Sequence, residues 1–163
     1  MKKSLLVLTL VMAFTLVLSA CSGNSEKAEP LVSNVPVKEM VDKMLKATEQ
    51  PNLMELDEET LKQQYHLDPA LLEEYSVRIP MMIVHSNEVS VLKVKEEKDL
   101  PAVEEALKQR AADAQKQFEQ YLPDQYENAK NYKIVKKGNY VLFVISDQAD
   151  ALIKSFEEFF VQK

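Results

Sequence analysis

The chain has 163 residues, 46% of them hydrophobic and 28% charged, with 20 Lys and Arg against 26 Asp and Glu and a formal net charge of −6. An acidic chain is repelled by phosphates, which argues against a nucleic-acid partner and against electrostatic adhesion to an anionic bilayer. Its one cysteine, Cys21, allows no internal disulfide framework, so a body of this length must hold by its own core.

Lys2 and Lys3 precede an apolar run from Leu5 to Leu18 that no charge interrupts. The run has the length of a secretory leader and falls short of the ~20 residues a spanning helix needs. Leu18-Ser19-Ala20-Cys21 follows, a branched aliphatic, two small residues and the thiol, and this resembles a bacterial lipoprotein signal in all four positions. The resemblance implies cleavage before Cys21 and a diacylglyceryl group on its sulfur, which takes Cys21 out of any catalytic or metal-binding role. An ordinary leader with a chance cysteine, or a short membrane anchor, is the plainer alternative. Residues 1–20 are then a signal peptide and residues 21–34 a flexible spacer. The 20 Lys and Arg less Lys2 and Lys3 leave 18 basic against 26 acidic side chains on the body.

From residue 35 a single domain is expected. Val37, Met40, Val41, Met44 and Leu45 recur at helical spacing, with Pro36 suited to a first turn. A short helix after Asp57 runs through Leu61 to Tyr65, and Asp68 with Pro69 opens another turn or two. "SVRIPMMIV" and "EVSVLKVK" read as two strands of a hairpin around "HSN", the first at an edge or bulged because Pro80 lacks an amide hydrogen. Asp99 and Pro101 open a long helix with the stripe Val103, Leu107, Ala111, Ala114, Phe118 and Leu122, which Pro123 ends or kinks. "YKIVKKGNYVLFVIS" reads as two strands turning at Lys137-Gly138, the second apolar on both faces and therefore central. Asp147 is the expected cap of a last helix carrying Leu152, Ile153, Phe156, Phe159 and Phe160. The order is short helices, then strand-strand-helix twice, an α+β domain with an antiparallel four-stranded sheet and its long helices packed on one face.

The stretches "LDPALLEEYSVRIPMM", "NEVSVLKVK", "FEQYLPDQYENAKNY" and "KGNYVLFVIS" together resemble a family of short bacterial lipoproteins, mostly of Gram-positive bacteria, known as a domain of unknown function (DUF4358). The resemblance implies location and fold, and it brings no catalytic residues with it.

Residue chemistry gives few openings for catalysis. The bases are His66 and His85, and His85 beside Ser86 points away from it on an extended segment. His66 and Asp68, with Glu73 or Glu74, lack the second imidazole or thiolate of a good metal site. Past the spacer Gly138 is the only glycine, so no phosphate-cradling loop is available. No cofactor is expected. The most suggestive polar stretch holds Tyr121, Asp124, Gln125, Tyr126, Asn128 and Tyr132, side chains suited to gripping a partner backbone or a glycan, although they equally suit a helix end whose tyrosines pack inward. Lys93, Lys95, Lys133, Lys136 and Lys137 on the strands read as edge protection. The expected protein is a lipid-anchored, extracytoplasmic module that binds a protein or envelope component, with a small ligand-binding or hydrolytic domain acting on cell-wall material as the rival. Cys21→Ala is expected to move the protein from the membrane pellet to the soluble fraction; retention in the pellet after a high-salt wash would count against anchoring through Cys21.

Overall fold

A computed structural model of the chain describes residues 31–161. The leader, Cys21 and the first part of the expected spacer lie outside the described residues. The elements in order are α1 (Val37–Lys46), β1 (Leu53–Glu55), α2 (Glu58–Tyr65), a 3-10 turn (Pro69–Leu71), β2 (Leu72–Pro80), β3 (Glu88–Val94), a second 3-10 turn (Glu97–Asp99), α3 (Leu100–Phe118), α4 (Pro123–Lys130), β4 (Lys133–Lys137), β5 (Tyr140–Ile145) and α5 (Ala149–Glu158). The strands form one antiparallel sheet in the order β1-β2-β3-β5-β4.

All six residues of β5 are buried. Alternation sends Val141, Phe143 and Ile145 to one face and Tyr140, Leu142 and Val144 to the other, and β3 divides in the same way, Leu92 and Val94 against Val89 and Val91. The first face packs against Leu61 and Tyr65 of α2, Val103, Leu107, Ala111 and Ala114 of α3, and Ala129 of α4. The second packs against Val37, Met40, Val41 and Met44 of α1 and Leu152 and Phe156 of α5. Each fully buried Leu, Phe or Met contributes about 1.5–3 kcal/mol.

The α+β class and the antiparallel sheet are as expected, and two details are corrected. The sheet has five strands, because β1 is three residues long and too short to show a period-2 pattern. The two long helices lie on opposite faces, α3 on one and α5 on the other, so the sheet is the middle of three layers. β2 is consequently not an edge: β1 pairs with it from Leu53↔Pro80 to Glu55↔Arg78, and Pro80 sits at its last residue, where no further ladder bond is needed. Nor does the apolar run after Pro80 continue the strand, since residues 81–87 form a loop.

Local chemistry explains most boundaries. Asp57 accepts from the Thr60 amide at 2.8 Å and starts α2, and Asp68 accepts from Ala70 at 2.9 Å at the first 3-10 turn. Pro36 offers α1 no side-chain cap; the Val37 amide instead donates to Glu74 Oε2 on β2, at 2.9 Å. Gln148, not Asp147, precedes α5, and its amide donates to Ser146 Oγ at 3.0 Å. Gly138 turns β4 into β5 with φ +54, and a Cβ there would stand 2.7 Å from the Leu31 carbonyl oxygen, so glycine is required twice over.

Residues 31–36 run along this turn and the end of α5: Tyr140 Oη donates to the Ser33 carbonyl at 3.4 Å, and residues 32–35 face Phe159 and Phe160. The sheet therefore has a near end, where the chain joins the domain, and a far end, toward which β2 and β5 run and from which β1, β3 and β4 start.

One buried ionic knot ties the far end together. Glu88, 2% exposed at the start of β3, accepts from Tyr65 Oη at 2.5 Å and from Arg110 Nε, at 3.0 Å to each oxygen, and from Arg110 Nη2. The Arg110 guanidinium also lies 5.4 Å from the centre of the Tyr65 ring. Burial raises the Tyr65 pKa well above its ordinary value, and the Glu88 charge adds to the effect, so its phenol stays a donor. Burial alone would lower the Arg110 pKa, but the hydrogen bond and charge of Glu88 outweigh it and hold the guanidinium charged. Glu88→Gln keeps the shape of the knot and strands the Arg110 charge, with an expected loss of about 3–5 kcal/mol in urea unfolding. Glu58→Gln, which breaks the exposed 3.2 Å pair with Lys62, is expected to cost less than about 1 kcal/mol.

Candidate functional site

Antiparallel connection brings four segments with polar side chains to the far end: residues 47–52 after α1, the last three residues of the 81–87 loop between β2 and β3, α4, and residues 146–148 after β5. Their side chains form two hydrogen-bonded groups, which meet at the neighbouring residues Ser86 and Asn87. The Ser86 amide and hydroxyl both donate to Gln125 Oε1, at 2.8 and 3.1 Å, and Asn128 Nδ2 donates to Ser86 Oγ at 2.9 Å. Asn87 Nδ2 donates to Gln50 Oε1 at 3.2 Å, and Gln50 Nε2 to Ser146 Oγ at 3.0 Å. Gln148 exchanges two bonds with the backbone of Glu49, donating to its carbonyl at 3.0 Å and accepting from its amide at 3.2 Å.

These groups line a cleft of about 490 Å³, walled by Gln50, Asn87, Gln125, Asn128 and Gln148, with Glu49, Asp124, Asp147 and His85 around them. A smaller cavity of about 190 Å³ adjoins it and shares His85; its walls include Ile79, Pro80, Ile83 and Phe118, and Glu88 and Arg110 reach it from the buried knot. An acidic shoulder continues the cleft through Glu127, Asp147 and Asp150.

The loop over these cavities turns its apolar side chains outward. Met81, Met82, Ile83 and Val84 are 63, 56, 79 and 47% exposed. The backbone beneath them is nonetheless pinned: the Met81 amide donates to Asn52 O at 3.0 Å, Gln117 Nε2 to Ile83 O at 3.4 Å, and the His85 amide to Met82 O at 3.2 Å. An apolar run that is held in place and exposed is the mark of a contact surface more than of a frayed loop.

Of the residues singled out from sequence, Asp124, Gln125 and Asn128 line the large cleft. The three tyrosines go elsewhere: Tyr121 is 61% exposed between α3 and α4, Tyr126 lies under the Lys130 ammonium at 5.2 Å, and Tyr132 packs on Phe143 with ring centres 6.1 Å apart. Gln50, Asn87, Asp147 and Gln148 were not anticipated; each lies in a short polar segment next to a helix or strand end, "EQPN", "HSN" and "SDQ", and those segments meet only once the strands are paired. Ser86 Oγ is engaged by Gln125 and Asn128, two amides that cannot accept its proton as a base would. The acidic and imidazole groups considered for a metal serve separate ends: His66 Nε2 pairs with Asp113 at 2.8 Å, Asp68 caps its turn, Glu73 binds Lys93 at 2.9 Å and Glu74 caps α1. Among the described residues no three His, Cys, Asp or Glu side chains gather to hold a metal ion, and no helix is long and apolar enough to cross a membrane.

The molecule is thus a three-layer α+β domain whose recessed polar surface is assembled from loops at one end of its sheet. It belongs to the family described as domain of unknown function (DUF4358), whose model matches residues 46–146, more than half of the chain. No curated protein and no solved structure matches it. The matched span contains the sheet, α2 to α4 and nearly all of the cleft, while α1 before its last residue and all of α5 fall outside it.

The docking of α4 onto the loop can be tested directly. Gln125→Ala removes the acceptor of the Ser86 amide, so amide exchange at Ser86 is expected to quicken about tenfold, the equivalent of about 1.4 kcal/mol, with global stability little changed.

Proposed function

We propose that this protein is a lipid-anchored, extracytoplasmic binding module, held at the membrane through Cys21 and non-catalytic, which engages a protein or another envelope component with the far end of its sheet. The observation that carries the reading is the pairing of a fixed, exposed apolar loop, Met81 to Val84, with a carboxamide-lined cleft, at the end of the domain opposite the point where the chain joins it. A tether at one end and a contact surface at the other present that surface away from the lipid. Beside the point where the chain joins, Leu31, Val32 and Val161 are exposed by 40, 61 and 68%, an apolar spot that suits a side facing the bilayer. The acidic body gives no electrostatic hold on anionic lipid, so the acyl chains and these few apolar groups carry the attachment.

Photo-crosslinking residues placed at positions 83 and 125 in intact cells are expected to give one shared adduct that a residue at position 98 does not give, Lys98 being exposed at the near end. The Cys21→Ala form is expected to lose it. Adducts from position 98 alone, or from none of the three, would remove the far end as the working surface.

A further inference from the structure

The two far-end cavities adjoin, and their chemistry differs in a way that selects a ligand class. In the large cleft Gln125 uses only its oxygen toward the protein, and Asn87 and Asn128 use only their nitrogens. Gln125 Nε2, Asn87 Oδ1 and Asn128 Oδ1 have no partner among the described residues, which leaves one donor and two acceptors open on side chains that line the cleft. A peptide backbone presents N–H and C=O groups in alternation and satisfies such a set. Among the described residues no Tyr, Phe or Trp ring lines this cleft, so they offer no stacking platform of the kind a sugar ring favours. Among the described residues the lining holds three carboxylates, Glu49, Asp124 and Asp147, against one imidazole, His85, which favours cations in the ligand.

The smaller cavity, at 190 Å³ the space of about six waters at ~30 Å³ each, has an apolar wall of Ile79, Pro80, Ile83 and Phe118 facing a polar one that includes Gln64 and Gln117, and it has room for one medium-sized side chain laid against the apolar wall. The Glu88 carboxylate beneath it is already neutralised by Arg110 and bonded to Tyr65, so an apolar group entering there leaves no charge stranded.

Resting on the reading above, we infer that the far end takes an extended polypeptide segment that combines an apolar residue with lysine or arginine a few positions away. The apolar side chain enters beside Ile83 and Phe118, the backbone crosses Asn87, Gln125 and Asn128, and the cation meets Asp124, Asp147 and Glu49. Met81, Met82 and Val84 extend the apolar contact outward, and methionine side chains adapt to varied sequences.

The test is selection of short random peptides displayed on phage against the full chain purified in detergent, followed by fluorescence anisotropy of the synthesised consensus. The expected result is a consensus pairing an aliphatic or Phe residue with Lys or Arg, bound about tenfold more weakly by Ile83→Asp and by Asp124→Lys. Both substitutions change exposed side chains, so circular dichroism should show an unchanged fold. For the consensus, binding should also weaken as salt is raised from low ionic strength, and Asp124→Lys should flatten that dependence. Failure to select any consensus, a consensus indifferent to both variants, or binding of soluble cell-wall glycan fragments in place of peptides would overturn the inference. Crosslinks from positions 83 and 125 that persisted in that event would leave the far end as the working surface and change only the ligand class; their absence would remove both.

Discussion

Everything in this domain depends on a strand that has no solvent face. With all six residues of β5 buried, and β3 beside it nearly so, the sheet must be covered on both sides before either layer is complete. The chain meets the requirement with elements from both termini: α1 and α5 cover one face, and α2, α3 and α4 the other. Because every strand pairing is antiparallel, the connections fall at two ends and leave the body of the sheet dry. Hydrophobic burial thus decides where polar side chains are permitted, and the far-end cleft forms at one of the two places that the core leaves for them.

The Glu88 knot departs most from that division, a charged pair driven into the first face of the sheet, whereas the buried Arg78 reaches the half-exposed carboxylates of Asp42 and Glu55. The knot is tolerable because the carboxylate is fully engaged, by one phenol and a forked guanidinium, with the Tyr65 ring stacked beneath the latter. A pair of this kind adds little net stability over an apolar substitute, but it fixes geometry, since each partner tolerates only one arrangement of the other. Here it joins α2, α3 and the first residue of β3 directly below residues 81–87. The loop's backbone hydrogen bonds to Asn52, Gln117 and Gln125 then rest on a rigid floor, and four exposed apolar side chains can be held out to solvent without collapsing inward.

Much of this was legible in the sequence, and the losses have physical causes. Helices with a wide apolar stripe, such as Val37 to Met44 and Val103 to Phe118, were readable because their periodicity alone specifies the buried face. Asp57 and Asp68 announced their helical turns through short-range hydrogen bonds that are independent of the rest of the fold. The both-sided apolarity of Tyr140 to Ile145 was visible too, and it already demanded helices on both faces; the single-face arrangement conflicted with it. Met81 to Val84 misled because an apolar run after a strand reads as more strand, and only the pairing of Pro80 with Leu53 shows that the ladder stops there. For the cleft, Asp124, Gln125 and Asn128 stood out as neighbours in sequence, whereas Gln50, Asn87 and Gln148 each looked like ordinary turn residues. Their convergence is a property of topology, which periodicity does not encode.

The family match sharpens the division of labour between layers. Residues 46–146 carry the sheet, the α2–α4 layer, the ionic knot and all of the cleft except Asp147 and Gln148, yet this span alone would leave Val89, Val91, Leu142 and Val144 bare on the second face. The unit that folds must therefore reach beyond the span on both sides, to α1 and α5. Those two helices also receive the incoming chain, for residues 32–35 run beside Phe159 and Phe160, and the Val37 amide is capped by Glu74 of the sheet. The second face thus joins the stability of the core to the placement of the N-terminal segment, and a change in α5 or at Gly138 acts on both. The exposed side chains of the far-end loop, Met81 to Val84, bear no such duty, and they can vary in chemistry without disturbing how the chain is held.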